Sequence, residues 1–234
     1  MEDENILDFN FWPSFSDLML SVVLILILTL FIVSAVLNVG TINLSHVQTN
    51  QQEIIDSIAT ELGEEPTLQD QKENLYVITT TDNGNEGDIY IKNEPTFQKI
   101  TFSSNVLFPP DMIELNNRGR KALQSVGKIL KQNIGKIREI QIQGHADPTP
   151  TQFQSNLHLA SMRAISVFNF LKDDLQIDPA NHLMSISSYG EYKPVQRTGD
   201  EKHYSQQILT WHNYSTKKKE RNRRIELLVF YRYQ

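Results

Sequence analysis

Twenty consecutive residues without a charge, Leu18 to Leu37, constrain this chain more than any other feature of its sequence. At 1.5 Å per residue a helix of that length spans about 30 Å, the thickness of a bilayer's hydrocarbon core. Residues 13–38 therefore read as one transmembrane helix. Its start is marked by Trp12, a residue suited to the headgroup belt, and by Pro13, which costs no helical hydrogen bond in a first turn.

Asp17 stands where the apolar run begins, although an ionised carboxylate at mid-membrane costs on the order of 2.5–3.5 kcal/mol. An interfacial place in the first turn, favoured by the helix dipole and by water, is one explanation that needs no function. The other comes from spacing. Ser14 and Ser21 lie at i−3 and i+4 from Asp17 and make a short polar stripe with it, whereas Thr29, Ser34 and Asn38 fall off that stripe. A carboxylate flanked by hydroxyls suits a packed helix interface or a hydrated ion path better than bare lipid.

The net charge of −6 hides an asymmetry: residues 1–71 hold eleven Asp and Glu and no Lys or Arg, so the remainder carries +5, the difference between −6 and −11. With no basic residue near either end of the span, the positive-inside rule gives no orientation. An acidic N-terminus and a long apolar run argue against a cleaved signal peptide. The absence of cysteine excludes disulfides, thiol nucleophiles and a cysteine-linked lipid anchor.

After the span, Val47, Gln51, Ile54, Ile55, Ile58 and Leu62 share one helical face, and Gly63 and Pro66 supply a stop. Residues 39–68 are thus expected as an amphipathic juxtamembrane helix and linker, which continues the span, pairs with its twin in a dimer, or lies on the membrane as a plug. Period-two alternation follows. Strands are predicted at Leu75–Thr80 and Asp88–Lys92, joined through Asp82-Asn83-Gly84, and at Lys99–Phe102, Glu139–Gln143, Leu183–Tyr189 and Ile225–Tyr231. Helices are predicted at 114–132, with Leu115, Ala122, Leu123, Val126, Ile129 and Leu130 inward, and at 155–171, with Leu157, Ala160, Ala164, Val167, Phe168 and Leu171 inward. The expected layout is a short tail at 1–12, the span, the linker, and an α/β domain at 69–234 whose mixed sheet carries its helices on one face.

Chemistry concentrates in the loop Gly144-His145-Ala146-Asp147-Pro148, between a strand and a helix. A carboxylate at a strand end, with Arg163 one or two turns into the next helix, suits a ligand bearing both an amine and a carboxylate. A structural ion pair with a turn-forming Asp is the plainer reading of the same residues. The histidines are scattered, and His145 with Asp147 finds no third metal ligand. There is no glycine-rich phosphate loop and no nucleophile elbow, so no enzyme is expected. Lys217, Lys218 and Lys219 read as a solvated loop, with no direct nucleic-acid partner expected.

Four motifs agree in order and spacing: Gly144-His145-Ala146-Asp147, Asn156 to Ala164, Tyr189-Gly190-Glu191 with Pro194, and Asn222-Arg223-Arg224-Ile225-Glu226. Over residues 97–231 they resemble the OmpA-like peptidoglycan-binding domain. That resemblance implies that Asp147 and Arg163 hold the diaminopimelate of a stem peptide, with Asn156, His145, Leu159 and Arg224 in the same site. Trp12, Phe15, Asp17, Leu18 and Met19 resemble the start of MotB-type stator B subunits. This likeness implies that Asp17 carries a proton or sodium ion, that no cofactor is needed, and that two copies of the chain sit as a homodimer inside a pentamer of MotA-like (in Zorya, ZorA-like) membrane subunits. It also implies an inner-membrane location with a cytoplasmic N-terminus and a periplasmic domain. A tail without basic residues and an apparent insertion at about 198–220 look more like B subunits of the Zorya anti-phage system than like flagellar ones. In that system the resemblance implies a stator-like complex that couples ion flow to defence.

Overall fold

The computed structural model describes residues 12–82, 85–197 and 203–232. Two compact units meet in the sequence at Ser45 and His46. Helix α1, Trp12–Leu62, runs through that boundary. Its N-terminal stretch is the only helix among the described residues long and apolar enough to cross a membrane. Within that stretch the large side chains are exposed, Leu24 to 65% and Phe31 to 74%.

The second unit opens with the last turns of α1. Val47, Ile54, Ile55, Ile58 and Ala59 are buried and belong to the same apolar cluster as the sheet. The face that the sequence left to a twin or to the membrane is covered by the chain's own core. Gly63, with φ of 71°, ends the helix where expected: Gly63 N donates to Thr60 O at 3.2 Å and Glu64 N to Ala59 O at 3.0 Å.

Strands β1 (Thr67–Asp70), β2 (Leu75–Asp82), β3 (Asn85–Asn93), β4 (Phe97–Ser103), β5 (Ile137–His145), β6 (Leu183–Gly190) and β7 (Arg224–Tyr231) form one sheet in the order β1-β2-β3-β4-β7-β5-β6. Only β5 and β6 pair in parallel, so the sheet is mixed, as expected. The sequence did not anticipate β1, an edge strand whose four residues are all exposed and thus lack alternation. The turn residues Asn83 and Gly84 lie outside the described residues.

One face of the sheet holds the core. Ile100 and Phe102 of β4, Ile140 and Ile142 of β5, and Ile225, Leu227 and Val229 of β7 meet Ala122, Leu123, Val126 and Leu130 of α3 (Asn117–Gln132) and Ala164 and Val167 of α4 (Asn156–Asn169). Helix α3 starts later than the periodicity suggested because Asn116 caps it, accepting from Gly119 N at 2.6 Å. In α4 the inward face is rotated slightly. Leu159 and Arg163 are buried, while Leu157, expected inside, is 45% exposed. A short helix α2 (Ser104–Leu107) follows β4, and α5 (Gln206–His212) and α6 (Thr216–Asn222) fill the apparent insertion.

A candidate zwitterion clamp at the end of the central strands

Three chain segments converge beyond the C-terminal end of β5. The first is the loop carrying Asp147, fixed at its root by Ala146 N donating to Gly190 O at 2.8 Å. The second is α4, which presents Arg163. Strand and helix approach closely because residue 144 is glycine: a Cβ there would lie 2.1 Å from Ala160 O. The third is the residue just before β7, Arg223.

Asp147 is buried, and its Oδ2 accepts from Arg223 Nη1 and from Thr149 Oγ1, both at 2.8 Å. Arg163 is equally enclosed; its Nε donates to Met112 O at 2.8 Å, its Nη1 to Ser104 Oγ at 3.2 Å, and its guanidinium lies 5.1 Å from the Phe108 ring centre. Burial pushes the Arg163 guanidinium down to about 10, the Asp111 and Asp147 carboxylates opposing that shift and Arg223 adding to it. It stays a cation at neutral pH. Asp111, at φ of 53°, accepts from Thr151 Oγ1 and from Gln152 N, which stitches the 108–112 loop to the 147–152 loop. The hydrogen bond from Thr151 holds the Asp111 carboxyl below its ordinary value.

Two carboxylates and two guanidinium groups thus share one corner of the domain, coupled to one another through Arg163. Such a set offers an ammonium an anion and a carboxylate a planar fork of donors. Asn156 opens α4 half-exposed beside Ser155, which caps the helix by accepting from His158 N at 3.1 Å, and Leu159 is buried one turn on.

His145 and Arg224 belong elsewhere. Arg224 and Glu226 alternate along β7 with the core residues Ile225 and Leu227, so they take the opposite face of the sheet. Arg224 donates Nε to Glu226 Oε1 at 2.7 Å, and His145 stacks on Tyr189 with ring centres 5.2 Å apart, its Nε2 3.5 Å from Glu226 Oε2. Burial lowers the His145 imidazole to about 4, with Arg224 reinforcing the shift and Glu226 opposing it, so the ring is neutral at pH 7. Burial disfavours the Glu226 anion too, but Arg224 outweighs that and holds its carboxyl well below the usual range. The guanidinium that reaches Asp147 is Arg223, which the sequence reading passed over. Strand parity holds part of the signal: an Arg at 224 shares its face with Glu226, which leaves its neighbour to the other side, but parity does not say what that neighbour meets.

On α1, Ser21 spends its hydroxyl on its own helix, donating to Asp17 O at 2.8 Å and Leu18 O at 3.0 Å. Asp17 is exposed, and the Ser14 side chain lies outside the described residues.

An N-terminal apolar helix followed by an OmpA-like α/β domain is a layout similar to that of MotB-type proteins. Residues 107–207 match the model of the OmpA family. Over 133 residues the chain is 28% identical to Motility protein B of Bacillus subtilis strain 168, covering 56% of this chain and 44% of that protein. It therefore spans less than half the length of that relative. The fold is similar to that of a MotB-like protein from Desulfovibrio vulgaris, with a TM-score of 0.56 at 16% identity over 83% of this chain and 97% of the other. It is also similar to the periplasmic domain of MotB (TM-score 0.52, 21% identity, 71% of this chain and 79% of the other). The cell wall anchor of the type VI secretion system from Pseudomonas aeruginosa has a TM-score of 0.50 at 18% identity, covering 62% and 88% of the two chains.

Proposed function

We propose that this chain is the peptidoglycan-anchored B subunit of an ion-driven, stator-like inner-membrane complex that serves Zorya-type anti-phage defence. The observation that carries the anchoring is the ion pair of buried Asp147 with half-buried Arg223 beside Arg163, a zwitterion clamp at the end of β5. In this reading Asp147 takes the ammonium and Arg163 the carboxylate of a diaminopimelate stem peptide. Arg223 and Thr149 orient the Asp147 carboxylate through Oδ2.

The motor half of the reading rests on Asp17 at the head of an apolar helix. Asp17 binds and releases a proton or sodium ion where the B dimer meets a pentamer of A subunits. Each neutralisation removes the cost of desolvating a carboxylate and so changes how the neighbouring helices pack. The N-terminus is cytoplasmic and the α/β domain periplasmic, so that the wall takes up the reaction torque. An acidic N-terminal region without Lys or Arg and the α5–α6 insertion favour the defence complex over a flagellar stator.

Two experiments test this. Asp147→Ala and Arg163→Ala in the full chain abolish co-sedimentation with purified sacculi; retention at wild-type level rejects the clamp. Asp17→Asn at matched protein level erases phage protection and leaves swimming motility intact. Loss of motility alone assigns a flagellar stator, and no change in either leaves a passive tether between membrane and wall.

A further inference from the structure

Helices α5 and α6 are fastened to the domain by polar contacts and very little apolar burial. Asn222 is fully enclosed; its Nδ2 donates to Asn213 Oδ1 at 2.7 Å and His212 O at 3.1 Å, and its Oδ1 accepts from Val195 N at 2.9 Å. Leu209 is the one apolar residue that α5 buries. None of this uses the two large aromatic side chains of the hairpin. Trp211 is 63% and Tyr214 76% exposed, their rings lie 19° from parallel with centres 6.0 Å apart, and Lys218 Nζ sits 4.4 Å from the centre of the Trp211 ring. Lys217, Lys219 and Arg221 add positive charge to the same short helix, against one Glu220. A pair of exposed aromatics set in a basic surrounding is a binding feature rather than a folding one.

What it binds follows from where it leads. Helix α6 runs straight into Arg223, whose amide donates to Lys219 O at 2.9 Å and whose guanidinium holds Asp147. The five steps from Lys218 to Arg223 rise about 8 Å along a helix, so the aromatic pair and the clamp lie within reach of a single polymer. A ligand that fills the clamp through ammonium and carboxylate groups and also meets flat aromatic faces needs rings with apolar C–H faces near those charges. A glycan strand bearing stem peptides has both. Pyranose C–H groups carry partial positive charge and stack on the negative face of an indole or phenol ring, and the stem carboxylates complement the lysines.

We propose that Trp211 and Tyr214 form a platform for the sugar rings of the glycan strand whose stem peptide occupies the Asp147–Arg163 clamp. The inference rests on the peptidoglycan reading above. It makes α5–α6 a second subsite, one that distinguishes polymeric wall from free peptide.

The test uses the full chain in detergent, with Trp211→Ala and Tyr214→Ala made separately and unchanged thermal unfolding as the check on folding. Each variant loses about 3- to 10-fold in affinity for intact sacculi, while affinity for a soluble diaminopimelate-containing stem peptide stays at the wild-type value. Unchanged sacculus binding overturns the platform, and so does an equal loss toward the free peptide, which would mean that the aromatics act through the clamp. A loss toward phosphatidylglycerol vesicles, with sacculus binding intact, overturns it in favour of a membrane surface. If Asp147→Ala abolishes sacculus binding and the aromatic variants do not, only the platform falls. If the wild-type chain binds no sacculi, both readings fall.

Discussion

Helix α1 contains one uniformly apolar stretch and one amphipathic stretch, and their large apolar side chains live in opposite surroundings. Leu20, Leu24 and Phe31 are between 65% and 74% exposed, whereas Ile54, Ile55 and Ile58 are fully buried against the domain's own sheet. The first stretch is stabilised by whatever medium or partner surrounds it, and the second by long-range contacts within the chain. The apolar span and the α/β unit therefore respond to different substitutions.

The largest effect that sharpens this contrast is Ile55→Ala. Removing a fully buried side chain costs about 2–5 kcal/mol, whereas Leu24→Ala moves unfolding of the α/β unit by less than about 0.5 kcal/mol. Urea unfolding of the full chain in detergent measures both, and equal effects would break the comparison.

Acid acts next, and on the α/β unit. His145 has an ordinary value of 6.5 and is held at about 4 when folded. Between those values the unfolded chain binds more protons, so this stability is fully present above pH 6.5 and lost as pH falls toward 4. Full loss amounts to about 3 kcal/mol. Glu226, held well below its ordinary 4.5, contributes with the same sign at lower pH still. Unfolding free energy measured across pH 4–7 falls with acid in the wild type and is flatter in His145→Gln.

A smaller effect lies where α1 meets the sheet. Gln51 Nε2 donates to Glu94 O at 2.8 Å, Gln98 Nε2 donates to Gln51 O at 2.9 Å, and Tyr231 Oη donates to Gln98 Oε1 at 2.9 Å. Gln98→Ala leaves the buried Tyr231 hydroxyl without that acceptor and costs about 1–3 kcal/mol by the same urea assay. Smallest is Ser21→Ala. Its hydroxyl bonds carbonyls of its own helix, so helicity by circular dichroism in detergent stays at the wild-type value, and a loss of helicity would break that expectation.

Much of the fold was legible because periodicity reports burial wherever one face is apolar and the other polar. The inward residues of α3 and the strand alternation of β4 carry that signature. Strand β1 does not, since backbone pairing with β2 holds it without burying a side chain. At the candidate site, Asp147 and Arg163 stand out in the sequence as a motif on a loop and the helix after it, and the fold brings them to one corner. Arg223 does not stand out, because two adjacent arginines differ only in which side of a strand they reach.

The sequence by itself determined the apolar span, the charge asymmetry, the order in which β2 to β7 and the helices α3 and α4 follow one another, and the residue types that a zwitterion clamp needs. These follow from local composition and spacing. The tertiary structure alone decided that residues 46–62 complete the domain's core, that His145 and Arg224 serve a buried network around Glu226, and that Arg223 reaches Asp147. Each of those outcomes depends on contacts between residues far apart in the chain. Spacing along the sequence carries no record of which partner a face or a guanidinium will meet.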